Sequence, residues 1–199
     1  MLEKSDEDPI AGYGDWEPSE NRIYVKSLKQ LNAEWDFVTP LTVAHIKFDL
    51  YKMKTKTAYI LGQKTEKGFD VGFHIELMPR KDIEHLFHGY SNIVNVDGVM
   101  VKDTLRGNGI AKTMYKYFVD KMGYTILGDE IQYHKARLTW KSLSYMDDMI
   151  VDIIDIDSGK VIEKNVELFH GEADYEFDER VWDYAEIKKH IRLLLTKVK

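Results

Sequence analysis

The sequence predicts an α+β fold, a mixed α/β arrangement with a central mixed β-sheet flanked by helices on both faces. Three observations predict it. Apolar and polar residues alternate with period two over much of 42–78. Strand and helix spacings alternate over 92–143. Two β-rich runs flank an Asp-Ser-Gly turn within 149–169. At 199 residues and 44% hydrophobic, the chain suits a single domain and is too apolar for wholesale disorder.

Each element has its own reason. Residues 42–53, TVAHIKFDLYKM, read as one half-buried strand: Ala44, Ile46, Phe48 and Leu50 point one way, and His45, Lys47 and Asp49 the other. Residues 57–64 and 69–78 follow as an antiparallel meander through the turn Glu66-Lys67-Gly68, and Pro79 ends it because proline cannot donate to a ladder. A strand before these is expected at 22–28. Residues 92–101 form the next strand. The helix 110–123 carries Ile110, Met114, Phe118 and Met122 on one stripe and ends on Gly123. A short strand, 124–129, precedes a second helix to about Leu143, opened by a capping box of Asp129 and Gln132. Strand–helix–strand units favour parallel strands with right-handed crossovers. A hairpin of 149–156 and 160–169 comes next, then an acidic loop over 170–180. A last helix is expected from a capping box of Asp183 and Glu186, with Trp182 stapled onto Ile187 and a stripe of Ile187, Ile191, Leu194 and Val198. The chain thus divides into an acidic arm with a first strand (1–41), a central domain (42–169), and an acidic loop and helix packed on that domain (170–199).

Composition excludes several classes. With no cysteine there is no disulfide scaffold, iron–sulfur cluster, cysteine zinc site or thiol nucleophile. No apolar run approaches 18 residues, and the N-terminus lacks the basic start and apolar stretch of a secretory signal, so a soluble, cytoplasmic protein without membrane attachment is expected. The net charge of −6 sits in residues 1–20, which hold seven acids and one base; the remaining residues balance at 27 against 27. The body therefore has no global pull toward nucleic acid. The acidic arm reads as a solvated segment or as a dock for a basic partner.

The most informative stretch is Val99–Lys112, VMVKDTLRGNGIAK. Arg106-Gly107-Asn108-Gly109 lies between a strand and a helix. Its glycines permit a tight turn and close approach to a ligand. The first amides of the following helix lack intrahelical partners and, with the helix dipole, favour an anion such as a pyrophosphate. A glycine-bearing strand–helix turn is also common for structural reasons alone. The dinucleotide fingerprint fails because Lys112 stands where its third glycine belongs, and the P-loop's Gly-Lys-Ser/Thr is absent.

Arg106-Gly107-Asn108-Gly109-Ile110-Ala111 resembles the acetyl-CoA motif of the GNAT acyltransferase superfamily, Arg/Gln-x-x-Gly-x-Gly/Ala after a strand and opening a helix. The order of elements over 42–169 and the Leu138-Thr139-Trp140 segment resemble the same family. The run DEIQYHKARLTW (129–140) is similar to family members from bacteriophages and mobile elements. The resemblance implies a central mixed sheet of the GNAT type. It implies an N-acetyltransferase with acetyl-CoA as cosubstrate and a primary amine, on a small molecule or a protein lysine, as acceptor; a homodimer is compatible with it. Backbone amides of Gly107, Asn108, Gly109, Ile110, Ala111 and Lys112 would hold the pyrophosphate with Arg106, and Val99, Met100 and Val101 would pair with the pantetheine. Many relatives carry a tyrosine acid on the second helix; that position is Trp140 here, and Trp has no useful pKa.

For proton transfer the candidates are Asp97, Glu76 and Tyr133, with His74 beside Glu76 on one strand face and Tyr115 and Tyr145 as further tyrosines. Each has a plain structural reading: a polar strand face is commonly solvated, and Asp97 before Gly98 can mark a bulge. Glu84, His85 and His88 lack a third metal ligand in an evident frame, and the acids from Asp147 to Asp157 lack the glycine order of a calcium loop. A competing reading is a non-catalytic interaction protein that binds CoA or only keeps the fold. A nucleotide-binding domain using the same anion site is a third.

Overall fold

Ser27 begins the first element: its hydroxyl accepts the Gln30 N–H at 3.2 Å and caps α1 (Leu28–Glu34). The structure is a computed structural model and describes residues 27–129, 134–169, 178–182 and 190–198. After α1 come β1 (Trp35–Val43), β2 (Ile46–Met53), β3 (Ala58–Thr65), β4 (Gly68–Pro79), α2 (Lys81–Glu84) and β5 (Ile93–Val101). A 3-10 turn at Asp103–Leu105 leads to α3 (Ile110–Met122), β6 (Thr125–Leu127), α4 (His134–Ser144), β7 (Met149–Asp155), β8 (Lys160–Glu163) and β9 (Ile191–Lys197). The strands form one sheet in the order β1-β2-β3-β4-β5-β6-β9-β7-β8. Every pairing is antiparallel except β5 with β6, so the class is α+β with a mixed sheet.

The sheet is buried on both faces. Leu50, Leu61, Ile75, Val94 and Ile126 belong to the largest core cluster, with Ile110, Met114 and Phe118 of α3 and Trp140 and Leu143 of α4. Their alternate neighbours face the other way. Tyr51 and Ile60 pack with Leu31 of α1, and Ile93, Leu127 and Leu194 pack with Ile83 of α2 and Phe87. A part-buried hydroxyl pair, Tyr59 with Tyr124 at 2.9 Å, ties β3 to the segment after α3. Gly123 ends α3 in the left-handed conformation (φ 68°), as its position predicts.

Four sequence expectations are corrected. Residues 42–53 are not one strand: Ala44 and His45 take positive φ (47° and 68°) and form a two-residue turn between β1 and β2. Val43 pairs with Ile46 across the turn, so the inward positions change from odd in β1 (Leu41, Val43) to even in β2 (Ile46, Phe48, Leu50), and the alternation from Ala44 to Leu50 does not mark the turn. The expected strand at 22–28 meets a helix at its end, since Leu28 opens α1; 22–26 lie outside the described residues. Residues 164–169 do not extend the hairpin, because β8 ends at Glu163. The last helix is replaced over 191–197 by β9, which sits between β6 and β7 with Leu193, Leu194 and Leu195 all buried. Side chains buried on both faces of a central strand produce a continuous apolar run, which lacks the period-two signature. The capping partners Gln132, Asp183 and Glu186, and Ile187, lie outside the described residues; Trp182 is buried.

The acidic turn at 178–182 is held by Asp178. Burial raises its carboxyl pKa, but hydrogen bonds from Arg180 and from the backbone N–H groups of Phe169 and Arg180 outweigh it and hold the pKa below the usual carboxylate range. No helix among the described residues is long and apolar enough to cross a membrane.

β9 completes two ladders at once, and its central leucines are fully enclosed. Leu194→Ala is expected to destabilise the protein by about 2–5 kcal/mol in urea unfolding. A chain ending at His190 is expected to lose cooperative thermal unfolding altogether.

Candidate functional site

The site begins where two strands part. β5 and β6 are in register at Ile93 with Thr125, Val94 with Ile126 and Asn95 with Leu127, and no further. Next, Gly128 donates its N–H to Leu193 of β9 at 2.8 Å. β5 continues to Val101, hydrogen-bonded to β4 alone. Among the described residues, its segment 96–101 therefore has no strand partner on the β6 side. The Val96 carbonyl accepts from Asn95 Nδ2 (2.9 Å) and the Val101 carbonyl from Arg106 Nε (3.3 Å). The Asn95 side-chain oxygen, at the point of parting, is buried without a hydrogen-bond partner.

A bulge shapes the same stretch. Glu76 pairs with Gly98 and Leu77 with Val96, so Asp97 is the extra residue. Such a bulge bends its strand and increases local twist. Both readings of Asp97 therefore meet at one place: it marks the bulge, and it is exposed beside the free edge.

The loop after β5 is braced from below. Lys102 N donates to the Gly72 carbonyl (2.9 Å), and Lys102 Nζ holds both Asp70 oxygens at 2.9 and 3.0 Å. Leu105 lies over Gly72, where a Cβ would sit 2.6 Å from its Cδ1. Arg106 Nη2 meets Asp103 Oδ1 at 2.7 Å, an exposed pair of small energetic worth. Gly107 (φ 78°) and Gly109 (φ 69°) are both left-handed, a conformation costly for most L-residues. Asn108 Nδ2 bonds the Leu105 and Arg106 carbonyls, closing the turn. The first intrahelical bond runs from Thr113 N to Gly109 O (2.9 Å), and no side chain caps the helix. The amides of Ile110, Ala111 and Lys112 thus lack helical partners at the positive end of a 13-residue helix.

The sheet face opposite α3 carries the titratable candidates. His74 and Glu76 share one face of β4, Nε2 to Oε1 3.7 Å apart. Burial lowers the His74 pKa; Glu76 opposes that shift and Lys56 reinforces it. Lys56 Nζ lies 3.7 Å from the other Glu76 oxygen. His74 is therefore a neutral imidazole near pH 7, able to accept a proton.

The tyrosine candidates divide. Tyr133 lies outside the described residues. Tyr115 is enclosed in the core, where burial first and Asp129 second push its hydroxyl pKa well above the ordinary range. Tyr145 is exposed. Trp140 is a core residue, packed on Tyr115 with centroids 5.9 Å apart. Among the described residues no three potential metal ligands converge. The sequence pointed to the motif loop, Asp97, Glu76 and His74; it missed the Lys102–Asp70 brace and the buried Asn95 oxygen. The Asn-Val pair inside an apolar strand was the only signal for the latter. No protein-family model, no curated protein and no solved structure matches the chain.

His74 gives a direct check. Its ring is expected to titrate below the ordinary imidazole value of about 6.5 in an NMR pH series. Lys56→Met should raise that midpoint and Glu76→Gln should lower it further. Because folding favours the neutral ring, this stabilisation is present above the unfolded midpoint and is lost as pH falls through the folded one.

Proposed function

We propose that the chain binds acetyl-CoA along the free edge of β5 and the start of α3 and transfers the acetyl group to a primary amine. One observation carries the reading. The unpaired strand edge that ends at Val101 leads within a few residues to a glycine turn whose helix amides are also unpaired. An extended, amide-bearing chain terminated by a diphosphate matches both halves of that surface: strand addition for the first, an anion at a helix start for the second. The GNAT-like motif Arg106-x-x-Gly109-x-Ala111 supports the same assignment. The strand order also supports it, with a free edge opening between the two parallel strands.

The residues fit such a cosubstrate. Backbone groups of Val99 and Val101 offer the edge, while those of Met100, between them, face His74 of β4. The amides of Gly107 to Lys112 offer donors, with Arg106 and Lys112 as charges. When bound, the thioester supplies an acyl carbonyl; C–N forms as C–S breaks, and the coenzyme leaves as a thiolate. A β5 amide near Val101 would donate to the developing oxyanion. The attacking amine must be neutral, and His74, with Glu76 beside it, is the described group best suited to take its proton. Asp97 stands at the bulge as a second carboxylate.

A second reading, a protein that binds the coenzyme without turnover, is favoured by Trp140, whose burial removes the helix position from acid chemistry. Titration calorimetry with acetyl-CoA, CoA and ATP tests the first reading. Micromolar binding of both coenzymes, and much weaker binding of ATP, are expected. Gly109→Asp keeps a residue type tolerant of left-handed φ but sets a carboxylate at the helix start; it should weaken coenzyme binding at least tenfold, while Gly109→Asn, neutral and of the same shape, weakens it less. Coenzyme binding with no product from any amine would favour the second reading. No coenzyme binding removes both.

A further inference from the structure

Gly98 follows the bulge at Asp97, but neither a left-handed φ nor packing restricts it to glycine. Its φ is not left-handed. A Cβ built on it meets no described atom within 4 Å. Gly62 and Gly72 differ: there a Cβ would lie 2.3 Å from the Asp70 carbonyl oxygen and 2.6 Å from Leu105. Glycine inside a strand is destabilising relative to alanine and often marks a bulge or a place where something approaches the sheet closely; the bulge at Asp97 accounts for the bend, and the open space beside Gly98 for the approach.

The register places the surroundings. Ala58, Glu76 and Gly98 form one row across β3, β4 and β5 on a single face; Ile60, His74 and Met100 form the next. Ala58 and Ile60 are fully buried in the cluster around α1. Moving toward β5 the face opens: the Glu76 side chain is 37% exposed, and Gly98 and Met100 are partly exposed. Neither the His74 nor the Lys56 contact of Glu76, both 3.7 Å, is short enough for a hydrogen bond. The carboxylate thus retains its acceptor capacity toward the open ground over Gly98. The titratable groups around it are Asp97 on β5, Lys56 before β3 and the uncharged His74 ring; β3 and β5 otherwise add apolar walls from Ala58, Ile60 and Met100.

We infer that the open ground over Gly98 is the acceptor slot, and that its occupant is a primary ammonium on an unbranched aliphatic chain, received by Glu76 and lined by Met100. This rests on the coenzyme reading, which puts the acyl group at the adjacent free edge. Gly98 is then the specificity-determining residue, kept small to leave room for the incoming chain.

The test uses the full chain with isotope-labelled histidine, the His74 signals being assigned by their loss in His74→Gln. n-Butylamine, putrescine and Nα-acetyl-lysine methylamide are titrated, with n-butanol as the neutral control. The amines should shift the His74 signals saturably and butanol should not; preference for putrescine or for the lysine derivative separates a free polyamine from a protein lysine. Gly98→Leu should weaken amine binding tenfold or more. Gly98→Thr, a better strand former, should raise Tm while weakening amine binding, a split that a merely structural glycine would not give. Unchanged amine affinity in both variants, or no response of His74 to any amine in the unsubstituted chain, overturns the proposal. Calorimetry of the unsubstituted chain with acetyl-CoA reports separately: binding there with a silent His74 removes the slot and leaves the coenzyme reading, and no binding removes that reading.

Discussion

The geometry of the candidate site depends on a mismatch in strand length. β6 has three residues and β5 has nine, and they run parallel for three rungs. Past Asn95 the longer strand keeps only β4, and half of its backbone groups lose a neighbour. Exposed strand edges invite pairing, and unpaired polar backbone is costly once water is excluded. The chain covers the two ends of this edge with Asn95 and Arg106, and among the described residues no strand pairs with the middle.

β9 makes that arrangement sustainable. It bonds β6 on one side and β7 on the other, with three consecutive buried leucines. Without it, β6 would be a three-residue edge strand with little to hold it in place. The core on both faces fixes the strand positions, and the bulge at Asp97 bends β5 within that frame. The Lys102–Asp70 pair and the Leu105–Gly72 contact then tie the loop after β5 to β4, so that α3 starts at a defined point beside the edge.

Electrostatics divides the labour between the faces. The anion-favouring amides lie at the start of α3, whose buried stripe packs on one face. The neutral His74 and the Glu76 carboxylate lie on the other. The β5 edge is the border between them. The proposed coenzyme would lie along this border, with the proposed base on the opposite side. That separation keeps the Glu76 carboxylate away from the anion-favouring amides of α3.

Much of this was legible locally. The helix 110–122 has one buried stripe, a glycine end and a glycine-bearing start, all encoded within a few residues of one another. The same holds for β3 and β4, whose turn and alternation are short-range features. His74 and Glu76 share a face because strand periodicity is two, whatever the rest of the chain does. What only the tertiary structure decided is non-local. Residues 191–197 are strand because two strands, each more than 30 residues earlier in the sequence, accept them; spacing alone equally fits a helix, since Ile191, Leu194 and Val198 lie three and four apart. The parting at Asn95, the bulge and the open ground over Gly98 arise from register between strands distant in the chain. No local propensity encodes a register, which is set by the sum of many side-chain contacts across the sheet.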